Sequence, residues 1–237
     1  FFISAHFNSQ WTETTQKPNS LIYYQDTDAQ KAYWVTYDNM LDDWTRGYLG
    51  DNPKEASNYV ESAAGSKYNT GYTFASEAPF KDIPKFDAFV NTDTILGEER
   101  SVSFTIYPKR EVDVIRLYAD KNIVFNSLSY NGKSVAKDST GKVYSNRVNN
   151  GLISYYVSPN DTLQVNYSVP KDVEVTFNVL EYSFDLLKNP LFTISERPKN
   201  TMTKPFVFTD AVVMKRLIYR QTLQKRVVDT LKTVADE

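Results

Sequence analysis

The sequence has no cysteine and one histidine. A Cys/His zinc site therefore lacks its ligands, a thiol nucleophile is excluded, and a Ser-His-Asp triad could form only around His6. Glycine is scarce as well, with eight residues, roughly half the usual usage of about 7%. No Gly-x-Gly-x-x-Gly or Gly-x-x-x-x-Gly-Lys run occurs, so Rossmann and P-loop phosphate cradles have no support. Neither sign of charge dominates: 27 Lys and Arg face 29 Asp and Glu, for a formal net charge of -2. That balance argues against nucleic acid as a partner. No apolar run approaches the roughly 20 residues needed to cross a bilayer. The apolar start, Phe1 to Phe7, reads either as a first strand or as the stub of a chain cut just past a hydrophobic segment. His6, lacking any second histidine, is assigned no role.

What is present describes an ordinary globular chain. Of its 237 residues 41% are hydrophobic, 14% aromatic and 24% charged. A chain of this length buries roughly 70% of its unfolded surface and needs no staple of disulfide or metal. The absence of cysteine fits a reducing cytosol and an extracytoplasmic bacterial domain equally.

Residues 21–38 form two aromatic and β-branched runs around Asp26-Thr27-Asp28, a hairpin pattern. Met40, Leu41, Trp44 and Tyr48 follow at helical spacing with Gly50 placed to cap. Asn52, Pro53 and Glu55 then predict a second helix over 53–64, closed by Gly65. Residues 66–84 read as a long loop. After Lys85 the period becomes two. Val102, Phe104 and Ile106 alternate with Ser101, Ser103 and Thr105, and further runs cover 112–118, 123–130, 142–144, 152–157, 163–169 and 173–179. Asn131-Gly132 suits a type I′ hairpin turn. Late strands are expected at 206–208 and 211–214, and Leu223, Val227, Leu231 and Val234 recur as in a terminal helix.

The fold expected is mainly β with a few short helices, an α+β chain whose antiparallel β-sandwich-like core follows a hairpin and two short helices. It divides as an aromatic-rich region over 1–84, a sandwich over 85–213 and a tail over 214–237.

Carboxylates are the catalytic resource in good supply. Asp26, Asp28, Asp38, Asp42 and Asp43 lie near Tyr33, Trp34, Tyr37 and Trp44 in sequence. A carboxylate pair beside aromatic platforms could hydrolyse a glycoside, and Asp26-x-Asp28 could hold a hard cation, though without the Gly and distal Glu of an EF-hand. The competing reading is turn aspartates bonded to their own backbone beside core aromatics. An interaction surface, if present, is placed at Tyr33, Trp34, Tyr37, Asp38 and Trp44; core packing is the other use of the two tryptophans. Asn160-Asp161-Thr162 and Asn166-Tyr167-Ser168 match the N-glycosylation acceptor.

Three blocks carry a resemblance. Pro18-Asn19-Ser20-Leu21-Ile22-Tyr23-Tyr24 runs on through Ala32-Tyr33-Trp34, Tyr37-Asp38, Leu41-Asp42, Trp44-Thr45 and Tyr48-Leu49-Gly50. Ser76-Glu77-Ala78-Pro79 and Pro205 to Ala211 complete the set. Together they resemble the C-terminal extracytoplasmic region of membrane-bound zinc exopeptidases of the aminopeptidase-Y-like peptidase family M-twenty-eight, related to the endoplasmic reticulum metallopeptidase and the vacuolar membrane protease. The resemblance implies a parent with a two-zinc peptidase domain, transmembrane helices and a soluble end domain, this chain being the last. It carries over no catalytic or metal-binding residue. It implies a non-catalytic, membrane-tethered, extracytoplasmic domain without a cofactor of its own, zinc being expected only in the parent's peptidase domain. Partners would be the parent's peptidase and transmembrane regions, with peptide or glycan as ligand. The alternative is a free-standing carbohydrate-binding β-sandwich.

Overall fold

The computed structural model describes residues 11–60, 70–220 and 223–225. The expected strand at Phe1 to Phe7, His6, and most of the terminal helix lie outside these residues. The chain is mainly β, 44% strand and 5% helix, with mixed and antiparallel sheets, none of them closed among the described residues. In chain order the strands are β1 (Lys17–Asn19), β2 (Ile22–Asp26), β3 (Lys31–Thr36), β4 (Lys54–Glu55), β5 (Phe74–Ala78), β6 (Asp87–Leu96), β7 (Glu99–Tyr107), β8 (Val114–Tyr118) and β9 (Ser127–Tyr130). There follow β10 (Lys133–Ser134), β11 (Gly151–Tyr156), β12 (Leu163–Pro170), β13 (Thr176–Ser183), β14 (Thr201–Thr203), β15 (Ala211–Tyr219) and β16 (Gln224–Lys225). Among the described residues one α-helix, α1 (Asp43–Leu49), lies between β3 and β4. Contacts divide the chain into two units. The first takes the described residues of Phe1–Ile83, Val112–Ile115 and Leu180–Arg216, and the second those of Pro84–Glu111, Arg116–Val179 and Leu217–Glu237.

In the first unit β2 and β3 form the expected hairpin, from Ile22 opposite Val35 to Asp26 opposite Lys31. Its turn is closed by Asp26, whose Oδ1 accepts the amides of Asp28 and Ala29 at 3.1 and 3.0 Å, the local bonding that aspartate offers a turn. β15 extends the hairpin in parallel, Ala211 opposite Ile22, and β5 pairs antiparallel with the far edge of β3. Both faces of β2 are buried from Ile22 to Gln25, which is why Leu21 to Tyr24 read as an unbroken apolar run rather than an alternating one. On one face α1 closes over Tyr23, Ala32, Val212 and Met214, contributing Trp44 and Leu49 to one core with Leu21, Ile83 and Leu186. The helix starts where a capping box forms, Asp42 accepting the Thr45 amide and Thr45 Oγ1 accepting the Asp42 amide. It ends at Gly50, whose positive φ of 75° a side chain would resist.

In the second unit β6, β7, β12 and β9 pair antiparallel in the order β10-β9-β12-β7-β6, and β16 adds to β6 in parallel. Alternation along β7 and β12 buries Val102, Phe104, Ile106, Leu163, Val165, Tyr167 and Val169. Phe177 of β13 packs on Phe104 and Tyr167, with ring centroids 5.2 and 5.3 Å apart, and Phe125 lies 6.0 Å from Tyr167. These rings fill the space between two layers, the sandwich-like core that the period-two pattern predicts. β9 and β10 join through Asn131 and Gly132 at φ 45° and 78°, the two positive angles of a type I′ turn.

Several expectations are corrected. The second helix is absent over its described part: Lys54–Glu55 pair with β5, and only Ala56–Asn58 coil, as a single 3-10 turn. The edge of β5 offers Lys54 and Glu55 ladder partners, and that pairing outweighs the local cap signal. The loop expected over 66–84 contains β5 itself. Residues 206–208 form no strand, since Phe206 turns at φ 64°. Around 142–144 pairing shrinks to a single bridge, Phe125 with Val143. At the start of the expected terminal helix, Gln224 and Lys225 pair with Phe89 and Val90.

Candidate functional site

The five residues singled out as an interaction surface all belong to the first unit, but they do not share a face. Trp34 and Trp44 enter one aromatic cluster on the helix side of the sheet. Tyr23 meets Trp34 at 5.3 Å and Phe192 at 4.6 Å, while Tyr48 meets Trp34 at 5.3 Å and Trp44 at 5.8 Å. Trp44 is nearly buried, donates Nε1–H to the Ser195 carbonyl at 3.0 Å, and carries the Arg197 guanidinium 4.7 Å above its ring. Arg197 in turn pairs with Asp210. Tyr33 and Tyr37 are buried elsewhere, Tyr33 against Tyr59 and Tyr37 against Tyr72. Asp38 is buried too. Its carboxylate accepts the Ser20 amide at 2.9 Å and the Ser20 hydroxyl at 3.0 Å, with Lys204 Nζ at 3.3 Å.

The neighbouring carboxylates have local partners. Asp26 holds the hairpin turn and Lys215 Nζ, the latter at 3.0 Å. Burial pushes the Asp42 carboxyl up, but the Thr45 amide, Asn19 and nearby Lys17 together hold it below its ordinary value. Asp43 pairs with Arg46 at 2.9 Å on the exposed side of α1. Asp26, Asp38 and Asp42 thus hold a turn, a strand junction and a helix cap, while Asp43 makes an exposed pair along the helix. Among the described residues no cluster of three or more His, Cys, Asp or Glu could hold a metal ion.

A concavity in the second unit lies apart from the five residues singled out as an interaction surface, although its lining includes the acceptor triplet Asn160-Asp161-Thr162. It measures about 610 Å³, is broad-mouthed, and is lined by Asn91, Thr105, Tyr107, Asn131, Asn160, Asp161, Thr162 and Gln164. Its floor is the outer face of the sheet. The alternation that buries Phe104 and Ile106 turns Ser103, Thr105 and Tyr107 outward, and that of β12 turns Gln164 outward. A β-bulge supplies the next group: the β6–β7 register skips from Val90 to Thr92, leaving Asn91 out of the ladder. Asn91 lies over its neighbours, its Nδ2 donating to Ser103 Oγ at 3.1 Å and Thr105 Oγ1 at 2.9 Å.

The wall is the β9–β10 turn. Asn131 Oδ1 accepts the Gln164 amide at 2.7 Å, and its Nδ2 donates to the Thr162 carbonyl and the Tyr155 hydroxyl, each at 3.1 Å. Tyr155 donates on to Asp161 at 3.0 Å; burial and the Asp161 carboxylate both push this phenol above its ordinary value, keeping it a donor. Tyr107 meets Phe89 edge-on at 5.6 Å. The available signal was the chemistry of the outward set, Ser101-x-Ser103-x-Thr105-x-Tyr107 and Gln164-x-Asn166-x-Ser168, which is wholly uncharged. The bulge that adds Asn91 leaves no such mark.

Compared with models of protein families and with curated proteins, the sequence matches none.

Proposed function

We propose that this chain is a non-catalytic extracytoplasmic domain of the kind that ends membrane-anchored zinc exopeptidases, assisting substrate access or domain assembly for a peptidase domain encoded upstream. One observation supports this reading. The three blocks that carry the resemblance, 18–50, 76–79 and 205–211, are far apart in sequence but meet in the first unit. Ala32, Tyr33 and Trp34 pair with Ala78, Glu77 and Ser76. Leu21 donates its amide to Thr209 Oγ1 at 3.1 Å and accepts the Asp210 amide at 2.9 Å, just where Ile22 opposes Ala211. Blocks shared for catalysis would gather ionisable groups around open space. These gather strand registers and packed rings, the marks of a fold signature, and peptide hydrolysis is left to the parent's peptidase domain, which in this reading holds the zinc.

The test is the coding region upstream of Phe1 and the activity of its full product. Several hydrophobic segments preceded by a zinc-binding domain rich in His, Asp and Glu are expected. Deleting this domain from that product should then lower aminoacyl-nitroanilide hydrolysis. A secretory signal ending just before Phe1 would overturn the reading.

A further inference from the structure

We propose that the concavity over β6, β7 and β12 binds a neutral, hydroxyl-rich carbohydrate. This assignment does not rest on the peptidase reading and can fail or succeed without it.

The lining selects the ligand class by what it offers. Its volume falls within the range of small-ligand sites, about 300–1,000 Å³, yet among the described residues Tyr107 is the single ring in it and no aliphatic side chain contributes. A lipid or an apolar peptide side chain would bury its surface against amides and hydroxyls with no gain. Among the described residues no Lys or Arg lines the site, and Asp161 adds a negative charge, so these residues offer a phosphate, a nucleotide or an acidic sugar no counter-charge. Sugar hydroxyls donate and accept at once, and a primary amide does the same through one carbonyl and two N–H groups. Asn91, Asn131, Asn160 and Gln164 bring four such amides to one concavity.

Part of this capacity is already spent on holding the site, and part is left. The Asn91 amide nitrogen is held by Ser103 and Thr105, which leaves its carbonyl oxygen to accept from a ligand. Gln164 makes only one long side-chain contact, 3.5 Å to Ser103. Asn131, by contrast, is locked on three sides and serves as a rigid wall, so part of the ordering cost of binding is met before the ligand arrives. Tyr107 supplies a ring for the C–H face of a pyranose, steadied by its edge-on contact with Phe89. Because the site is open and wet, weak binding is expected, with a dissociation constant of about 1 mM or tighter.

The experiment is a titration of the chain with cello-, xylo-, malto- and chitohexaose, followed by amide NMR shifts, with hexagalacturonate as the charged comparison. At least one neutral oligosaccharide should shift Thr105, Asn131, Thr162 and Gln164. Asn91→Ala and Gln164→Ala should each weaken that binding about tenfold, Tyr107→Phe should retain it, and Ser129→Ala, outside the lining on the same sheet face, should leave it unchanged. Dispersed spectra of the variants establish that they fold. Absence of shifts with all four neutral sugars at about 10 mM overturns the proposal, as does binding that survives both amide variants. Equal binding of hexagalacturonate at these residues overturns the assignment to neutral sugars.

Discussion

At the scale of single residues, the ion pair between Arg100 and Asp93 is the clearest case of charge contributing to stability. Its geometry is bidentate, Nε to Oδ1 at 2.8 Å and Nη2 to Oδ2 at 2.9 Å, and both side chains are largely covered. Bonding to Arg100 first, and to Arg220 after it, holds the Asp93 carboxyl below the ordinary carboxylate range against the opposing effect of burial. A carboxyl depressed in the folded state contributes stability that is present above its unfolded pKa, near 4, and is lost as pH falls through the folded value. Asp93→Asn should therefore cost about 1–3 kcal/mol at neutral pH, and the gap from the parent should narrow as pH falls below the unfolded pKa, near 4. Urea unfolding at neutral and at acid pH measures this; an equal gap at both would refute the charge assignment. Trp34 tests a different force. It touches Tyr23, Tyr48 and Phe192, so Trp34→Ala should lose about 3 kcal/mol. Unchanged stability would return this ring to the role of an interaction surface.

At the scale of elements, local chemistry decides wherever a turn or cap needs a particular residue. Gly132 sits at φ 78° in a two-residue turn, so Gly132→Ala should cost about 1 kcal/mol or more in thermal or urea unfolding. Asp42→Ala removes the cap of α1 and should cost about 1 kcal/mol by the same measure. The Asn-Gly turn was legible in the sequence because its chemistry acts within two residues, and α1 was legible from its apolar spacing and Gly50; the Asp42-x-x-Thr45 box that starts the helix emerges only in the structure. The β2–β3 hairpin and the alternation of β7 and β12 were legible too, because burial on one or both faces writes itself into period or composition. The helix expected at 53–64 illustrates the limit. Its cap signal was real as local chemistry, but β5, which reads as loop from its composition, provides partners 21 and 19 residues away in sequence, Lys54 to Ala75 and Glu55 to Phe74. Propensity loses to a pairing that only the folded chain contains. The candidate site was illegible on the same ground: a bulge at Asn91 and a turn at Asn131 come together through strand order, which no window of sequence reports.

At the scale of the whole molecule, the first unit is assembled from segments at opposite ends of the chain. β2 is hydrogen-bonded on one side to β3, five residues on, and on the other to β15, where Asp26 and Lys215 pair across 189 positions. Without β15 the buried row Ile22 to Gln25 would expose a bare edge and lose the apolar cover of Val212 and Met214. A fragment of residues 1–84 should consequently lack dispersed amide signals when produced alone, and adding a peptide of residues 200–220 should restore them in part. A well-dispersed spectrum from the fragment by itself would mean that the hairpin, α1 and β5 form a sufficient core. The same long closure bears on kinetics. Chain entropy must be spent to bring β15 to β2 before the parallel ladder returns any energy, and sheets joined over such separations fold in milliseconds to seconds rather than microseconds. Stopped-flow refolding should show that slow range. Val213→Ala, which trims the residue opposite Tyr24, should mainly speed unfolding if this ladder closes last, and mainly slow folding if its closure is the nucleating step.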